Sequence, residues 1–193
     1  VHAFLEALRT VLCTEMNAEQ LREALSFCVS KANTAVYSHA LAHEECHGMG
    51  TTLVAAVTDG SGVMVCNVGD SRAYRIGGGQ IERVTRDHSV VEGLVESGNI
   101  TAEQARTHPN RNLITRALGP EEQLECDVYE VALGAGESLL LCSDGLVVTV
   151  TDDEMCEAVT NADTPAESLE RLLALSKQRG APDNVTAVLL YNE

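Results

Sequence analysis

The apolar residues of this chain first change their spacing near residue 50, and that change limits the folds it can adopt. Before it, Phe4, Leu5, Leu8, Val11 and Leu12 recur every three or four positions, as do Leu21, Leu25, Cys28, Val29 and Ala32, which predicts two amphipathic helices. Asn17, ahead of Ala18-Glu19-Gln20, is placed to cap the second. Val1 carries the helical spacing with no cap before it, so the chain is expected to begin inside an element. After the change come short β-branched segments, Thr51 to Thr58, Val63 to Val68, Ala73 to Ile76 and Ile81 to Val84, separated by Asp59-Gly60 and Gly77-Gly78-Gly79 turns. These predict an antiparallel meander.

Residues 87–112 return to polar, helical character, with Thr101-x-x-Gln104 as a capping box and Pro109 as a stop. Cys126 to Leu133 and Ser138 to Cys142 read as strands around Gly134-Ala135-Gly136, followed by helices near 152–160 and 165–178 and a last strand, Val185 to Tyr191. Strands grouped together and flanked by helices, without βαβ alternation, indicate an α+β fold. At 193 residues and 45% hydrophobic content the chain suits a single domain, 1–193. With no Trp and two Phe, its core has to be aliphatic.

Charge excludes some functions. Thirteen Lys and Arg stand against 29 Asp and Glu, a net charge of −16, so the average field repels nucleic-acid backbones and anionic membranes. No apolar run approaches the ~18 residues of a spanning helix, and the first residues lack a signal peptide's basic region. Seven cysteines without close pairs suit buried thiols in a reducing compartment, and a cytoplasmic location is expected.

Two segments place a carboxylate where a strand meets a turn: Leu141-Cys142-Ser143-Asp144-Gly145 and Pro182-Asp183-Asn184-Val185. An ionised carboxylate at the end of a buried strand is costly without a compensating partner, and a hard divalent cation is one such partner. A plain turn capped by Asp is the other reading. Asn67-Val68-Gly69-Asp70-Ser71-Arg72 has the same character and by itself reads as a hairpin with an ion pair.

The ordered set says more than any single segment. Gly48-Met49-Gly50-Thr51-Thr52-Leu53, Val68-Gly69-Asp70-Ser71-Arg72, Leu113-Ile114-Thr115-Arg116-Ala117-Leu118-Gly119, Leu141-Cys142-Ser143-Asp144-Gly145-Leu146 and Pro182-Asp183-Asn184-Val185-Thr186 together resemble the metal-dependent Ser/Thr protein phosphatases of type 2C. Asp87-His88-Ser89 and the helical excursion that follows resemble the bacterial branch, with 87–112 as its flap subdomain. The resemblance implies a four-layer α-β-β-α sandwich of two antiparallel sheets with flanking helices. It also implies two Mg²⁺ or Mn²⁺ ions, whose bound water attacks the phosphorus of a phosphoserine or phosphothreonine in a protein substrate. By motif position Asp144 and Asp183 correspond to metal ligands, Asp70 to the ligand of an accessory third metal, and Asn184 to a residue that orients them. Thr51 and Thr52 support the sheet.

The departures are specific. The family's N-terminal strand pair, its phosphate-binding Arg and its Asp-Gly-x-Gly-Gly turn do not occur before residue 48, and Val148 stands four residues past Asp144, where the family has Asp or Asn for the third metal. The resemblance therefore implies a fragment that turns over little by itself and whose open strand edges favour self-association. A catalytically silent pseudophosphatase acting as a binding module is the alternative.

Other motifs compete weakly. His43-Glu44-Glu45-Cys46-His47 matches the H-E-x-x-H zinc pattern, but Gly48 and Gly50 would end a helix at the second His, so a solvated helix end is expected. Gly77-Gly78-Gly79 lacks the Lys-Ser/Thr of a phosphate loop and reads as a hairpin turn. His88 and His108 could act as acids but are expected to be exposed loop residues. Cys142 is expected to pack as a small hydrophobe rather than act as a nucleophile.

Overall fold

The computed structural model describes residues 1–12, 16–58 and 62–192. Helices α1 (His2–Val11) and α2 (Ala18–Ala42) precede strands β1 (Leu53–Thr58), β2 (Val63–Val68), β3 (Arg72–Gly77) and β4 (Gln80–Arg83). Two short helices, α3 (Val90–Glu96) and α4 (Ala102–Thr107), lead to β5 (Asp127–Val131) and β6 (Ser138–Cys142). Then follow α5 (Asp144–Thr149), α6 (Asp152–Thr160), α7 (Pro165–Gln178) and β7 (Ala187–Tyr191). The strands form two antiparallel sheets, β1-β2-β5 and β4-β3-β6-β7, so the chain is α+β with flanking helices.

The chain divides into two compact units, one made of Val1–Gly69 and His88–Val131, the other of Asp70–Asp87 and the residues from Ala132 onward. In the first, a capping box starts α2: Asn17 Oδ1 accepts from the Gln20 N–H at 2.9 Å and Gln20 Oε1 accepts from the Asn17 N–H at 3.0 Å. Leu25, Cys28, Val29 and Ala32 on its buried face pack with Phe4 of α1 and with Met64, Cys66 and Val68 of β2. Strand β2 is buried along its whole length because it is the middle strand. Each such side chain removed from water contributes about 1.5–3 kcal/mol.

In the second unit, β3 and β6 are the inner strands. Tyr74, Ile76, Leu140 and Cys142 from them meet Leu146, Val150, Met155 and Leu172 from α5 to α7 and the joints between them. Thr151 and Glu154 cap α6 reciprocally, and Pro165 opens α7 behind a Thr164 cap, so each start is written locally. Gly78 and Gly79 both have positive φ, 58° and 73°, in the two-residue turn between β3 and β4, which is a hairpin as expected.

The meander is corrected. β1 pairs with β2 and β3 with β4, but β2 and β3 belong to different sheets, the chain leaving the first unit at Gly69. Likewise β5 and β6, adjacent in sequence, do not pair: β5 joins β2, and β6 lies between β3 and β7. Antiparallel partners 45 to 70 residues apart leave no local mark in sequence spacing. The Asp59-Gly60 turn and Cys13 lie outside the described residues. No helix among the described residues is long and apolar enough to cross a membrane.

Candidate active site

Strand β6 carries Leu139-Leu140-Leu141-Cys142 through the second sheet and delivers Ser143 and Asp144 at its end. Ser143 binds the loop that precedes the neighbouring strand. Its N–H donates to the Thr186 carbonyl at 3.0 Å, while its Oγ donates to the Asn184 carbonyl at 3.2 Å and accepts from the Thr186 N–H at 3.0 Å. Gly145 serves the same approach, because a Cβ there would run into the Asn184 carbonyl oxygen. Two small residues flanking Asp144 thus bring the Asp183-Asn184 loop against it. Both lie within the Cys-Ser-Asp-Gly motif, yet their role rests on contacts some 40 residues away that spacing does not announce.

The carboxylates are held by their own backbone. Asp144 Oδ1 accepts from the Gly145 N–H at 2.9 Å, and Asp183 Oδ1 accepts from the Asn184 N–H at 2.7 Å. Asp144 is half-buried and Asp183 and Asn184 are exposed. Burial, then the charge of Asp183, raises the Asp144 carboxyl above the usual range. Asp70, half-buried before β3, is pushed up to about 6 by burial and by the charge of Asp144. These three residues, far apart in sequence, are near enough to feel one another in the order Asp70, Asp144, Asp183.

The charges that raise Asp70 and Asp144 also favour a divalent cation, and oxygen donors suit Mg²⁺ or Mn²⁺. They do not close around one point: among the described residues no three His, Cys, Asp or Glu side chains are grouped so as to hold an ion between them. The fit is that of a partial ligand shell, one or two carboxylates with water completing it, as Mg²⁺ accepts. Val148, exposed on α5, offers no oxygen to it.

The first unit holds the remaining motif residues. Thr51 bridges Leu118, with N–H to carbonyl distances of 3.0 and 2.9 Å, joining the Gly50-Thr51-Thr52 segment to the Arg116-Ala117-Leu118-Gly119 segment. Buried Asn33 of α2 accepts from the Gly119 N–H at 2.7 Å and donates to the Glu121 and Glu122 carbonyls, a clamp the helical pattern of α2 does not reveal. His88 departs from expectation: it is 4% exposed, its Nδ1 accepts from the Gly69 N–H at 3.0 Å, and its Nε2 lies 3.2 Å from Asp127 Oδ2. The excursion that starts here is pinched at its neck by Val90 N–H to the Leu113 carbonyl (2.9 Å) and Thr115 N–H to the His88 carbonyl (2.8 Å).

Residues 1–189 match the family described as Protein phosphatase 2C. The chain belongs to that family. It is 36% identical over 178 residues to the serine/threonine phosphatase Stp of Listeria monocytogenes, spanning 92% of this chain and 71% of that protein. It is 39% identical over 166 residues to PstP of Mycobacterium tuberculosis, 86% of this chain and 32% of that protein. The crystal structure of serine/threonine phosphatase Stp1 from Staphylococcus aureus superposes with a TM-score of 0.91 at 35% identity, covering all of this chain and 76% of the other. That of the PstP catalytic domain in complex with two manganese ions superposes at 0.84 and 34%, covering 97% and 78%.

Against this phosphatase 2C background the competing motifs fall away. α2 ends at Ala42 and a 3₁₀ turn, Glu44–Cys46, follows, so His43 and His47 do not share an α-helix, and His43 stacks on His39 with ring centroids 4.0 Å apart. Cys142 is 2% exposed and burial pushes its thiol up to about 12, which suits a core residue and not a nucleophile.

Proposed function

We propose that this phosphatase 2C chain hydrolyses phosphoserine and phosphothreonine in proteins with Mg²⁺ or Mn²⁺ ions held in part by Asp144 and Asp183. The observation that carries the reading is the stapling of the Asp183 loop to Asp144 by Ser143 and Gly145 in a chain of this family. Bound divalent ions would supply the positive charge that makes water acidic near neutral pH and neutralises phosphoryl oxygens. The residues of this chain set the geometry for that chemistry. Ser143 fixes the height of the Asp183 loop, Gly145 admits it, and Asn184, through its backbone, holds the Asp183 carboxylate. Asp70 is the accessory ligand, weakened as a site by Val148. We further read 87–112, pinched at its neck, as the flap subdomain of the family's bacterial branch.

By themselves the 193 residues carry two expected ligands and no Asp-Gly-x-Gly-Gly turn, so their own turnover should be low. The lack of a three-donor cluster among the described residues also favours, as a second reading, a binding module that recognises phosphoproteins without hydrolysing them. Calorimetric titration of the chain with Mn²⁺ separates the two. Weak binding lost in both Asp144→Asn and Asp183→Asn supports the enzyme; binding indifferent to both substitutions refutes the ligand assignment.

A further inference from the structure

Arg72 opens β3 two residues after Asp70, and all three nitrogens of its guanidinium make hydrogen bonds. Nε donates to Asp87 Oδ1 at 2.9 Å and to Oδ2 at 3.0 Å, Nη2 donates to Oδ2 at 2.6 Å, and Nη1 donates to the Tyr74 hydroxyl at 3.0 Å. The two side chains are 19% and 7% exposed, so water screens the pair little. Burial works against the charge of Arg72, but its hydrogen bonds to Asp87 outweigh this and raise its basicity. All of these groups belong to the second unit, as do Asp70, Asp144 and Asp183.

This pair sits within electrostatic reach of the carboxylates. The charge of Asp87 raises both Asp70 and Asp144, and the charge of Arg72 lowers Asp70. Arg72 and Asp87 cancel one another, which leaves the negative charge of Asp70, Asp144 and Asp183 for a cation. A guanidinium is never deprotonated and grips carboxylates through a two-point fork. Freed from Asp87, Arg72 would be a permanent cation within electrostatic reach of Asp70, two residues before it.

We propose that Asp87 parks Arg72: the two-point pair keeps the guanidinium off Asp70 and Asp144 and so keeps that cluster negative and open to a divalent cation. The proposal rests on the metal-site reading above. Asp87 is a positioning residue that acts through Arg72, not a ligand. If it were a ligand, or if the pair only braced the fold, removing both charges together would not preserve metal affinity in the way parking requires.

The test compares Asp87→Asn, Arg72→Met/Asp87→Asn and Arg72→Lys with the parent chain, reading Mn²⁺ affinity by water-proton relaxation. Parking predicts that Asp87→Asn weakens Mn²⁺ binding at least tenfold and that the double variant returns to within threefold of the parent. Equal losses in single and double variants, or no loss in the single, overturn it. Should Asp87→Asn fail to fold by near-ultraviolet circular dichroism, Arg72→Lys takes its place, since an ammonium lacks the fork and should weaken binding at least threefold. A metal-free readout separates this proposal from the metal site itself. In Asp87→Asn the Arg72 Nε–H resonance should shift when Asp144→Asn is added, whereas in the parent it should not. No such coupling overturns parking; the coupling without any Mn²⁺ binding by the parent overturns the metal-site reading instead.

Discussion

His88 and Gly69 hold each other twice: the His88 imidazole Nδ1 accepts from the Gly69 N–H at 3.0 Å, and the His88 N–H donates to the Gly69 carbonyl at 2.9 Å. An accepting Nδ1 carries no proton, so the geometry assigns the Nε2–H tautomer, with Asp127 Oδ2 as its acceptor at 3.2 Å. Burial of Asp127 opposes its charge, but hydrogen bonds from His88 and Arg116 outweigh this and keep its carboxyl below the usual range. Gly69 can accept this double clamp because of its φ of 106°, and any Cβ there would collide with Thr52.

Replacing His88 by Ala should therefore cost about 1–3 kcal/mol, the penalty of leaving buried groups without partners. Asn at the same position can offer its side-chain oxygen where Nδ1 stood, and should recover roughly 1 kcal/mol of that loss. Urea unfolding of the two variants measures the difference. Equal stabilities for His88→Ala and His88→Asn would show that the bond to Gly69 contributes nothing.

Gly145→Ala is expected to disturb the loop that carries Asp183, since its Cβ would meet the Asn184 carbonyl oxygen and backbone cannot yield as a side-chain tip does. Overpacking of this kind costs about 1–3 kcal/mol. Backbone resonances of Asp183 to Thr186 should shift more than those of α7. An unshifted loop with unchanged stability would mean that the close approach is incidental.

Among the carboxyls lowered on folding, Glu154 is the one displaced furthest into the acid range. Hydrogen bonds from Arg179, then from the Thr151 backbone, lower the Glu154 carboxyl from its ordinary 4.5 to about 2. A carboxyl depressed on folding adds stability that is complete above pH 4.5 and is lost as pH falls toward 2. Arg179→Met should flatten the decline of melting temperature over that interval while lowering stability at neutral pH. An unchanged slope would reassign the acid sensitivity to other groups.

Local devices were readable in the sequence, and contacts made at a distance were not. Asn17 and Gln20, Thr101 and Gln104, and Gly78-Gly79 do their work within four residues, so their spacing alone placed two helix starts and a hairpin correctly. β6 and α7 were bounded correctly by Ser138, Cys142, Pro165 and Gln178. Helix α5 is not legible in the sequence because it is six residues long and its Val147-Val148 pair is β-branched, a poor helix signal that tertiary packing of Leu146 overrides. The burial of His88 leaves no mark in its own segment, because its partners, Gly69, Arg116 and Asp127, stand 19 to 39 residues away. Asp144 and Asp183 were recognisable one by one, but the Ser143 and Gly145 contacts that bring them together depend on β6 and β7 being neighbours.

If Asp144 and Asp183 serve metal-dependent hydrolysis of phosphoproteins, turnover has to depend on Mn²⁺ and on both carboxylates. The N-terminal segment of the Listeria Stp relative is fused ahead of Val1, and phosphate release from a phosphothreonine peptide is followed with Mn²⁺ and with EDTA. Turnover should require Mn²⁺ and fall by at least about a hundredfold, some 2.7 kcal/mol of transition-state stabilisation, in Asp144→Asn and in Asp183→Asn. Turnover that persists in EDTA, or that survives both substitutions, would contradict that role.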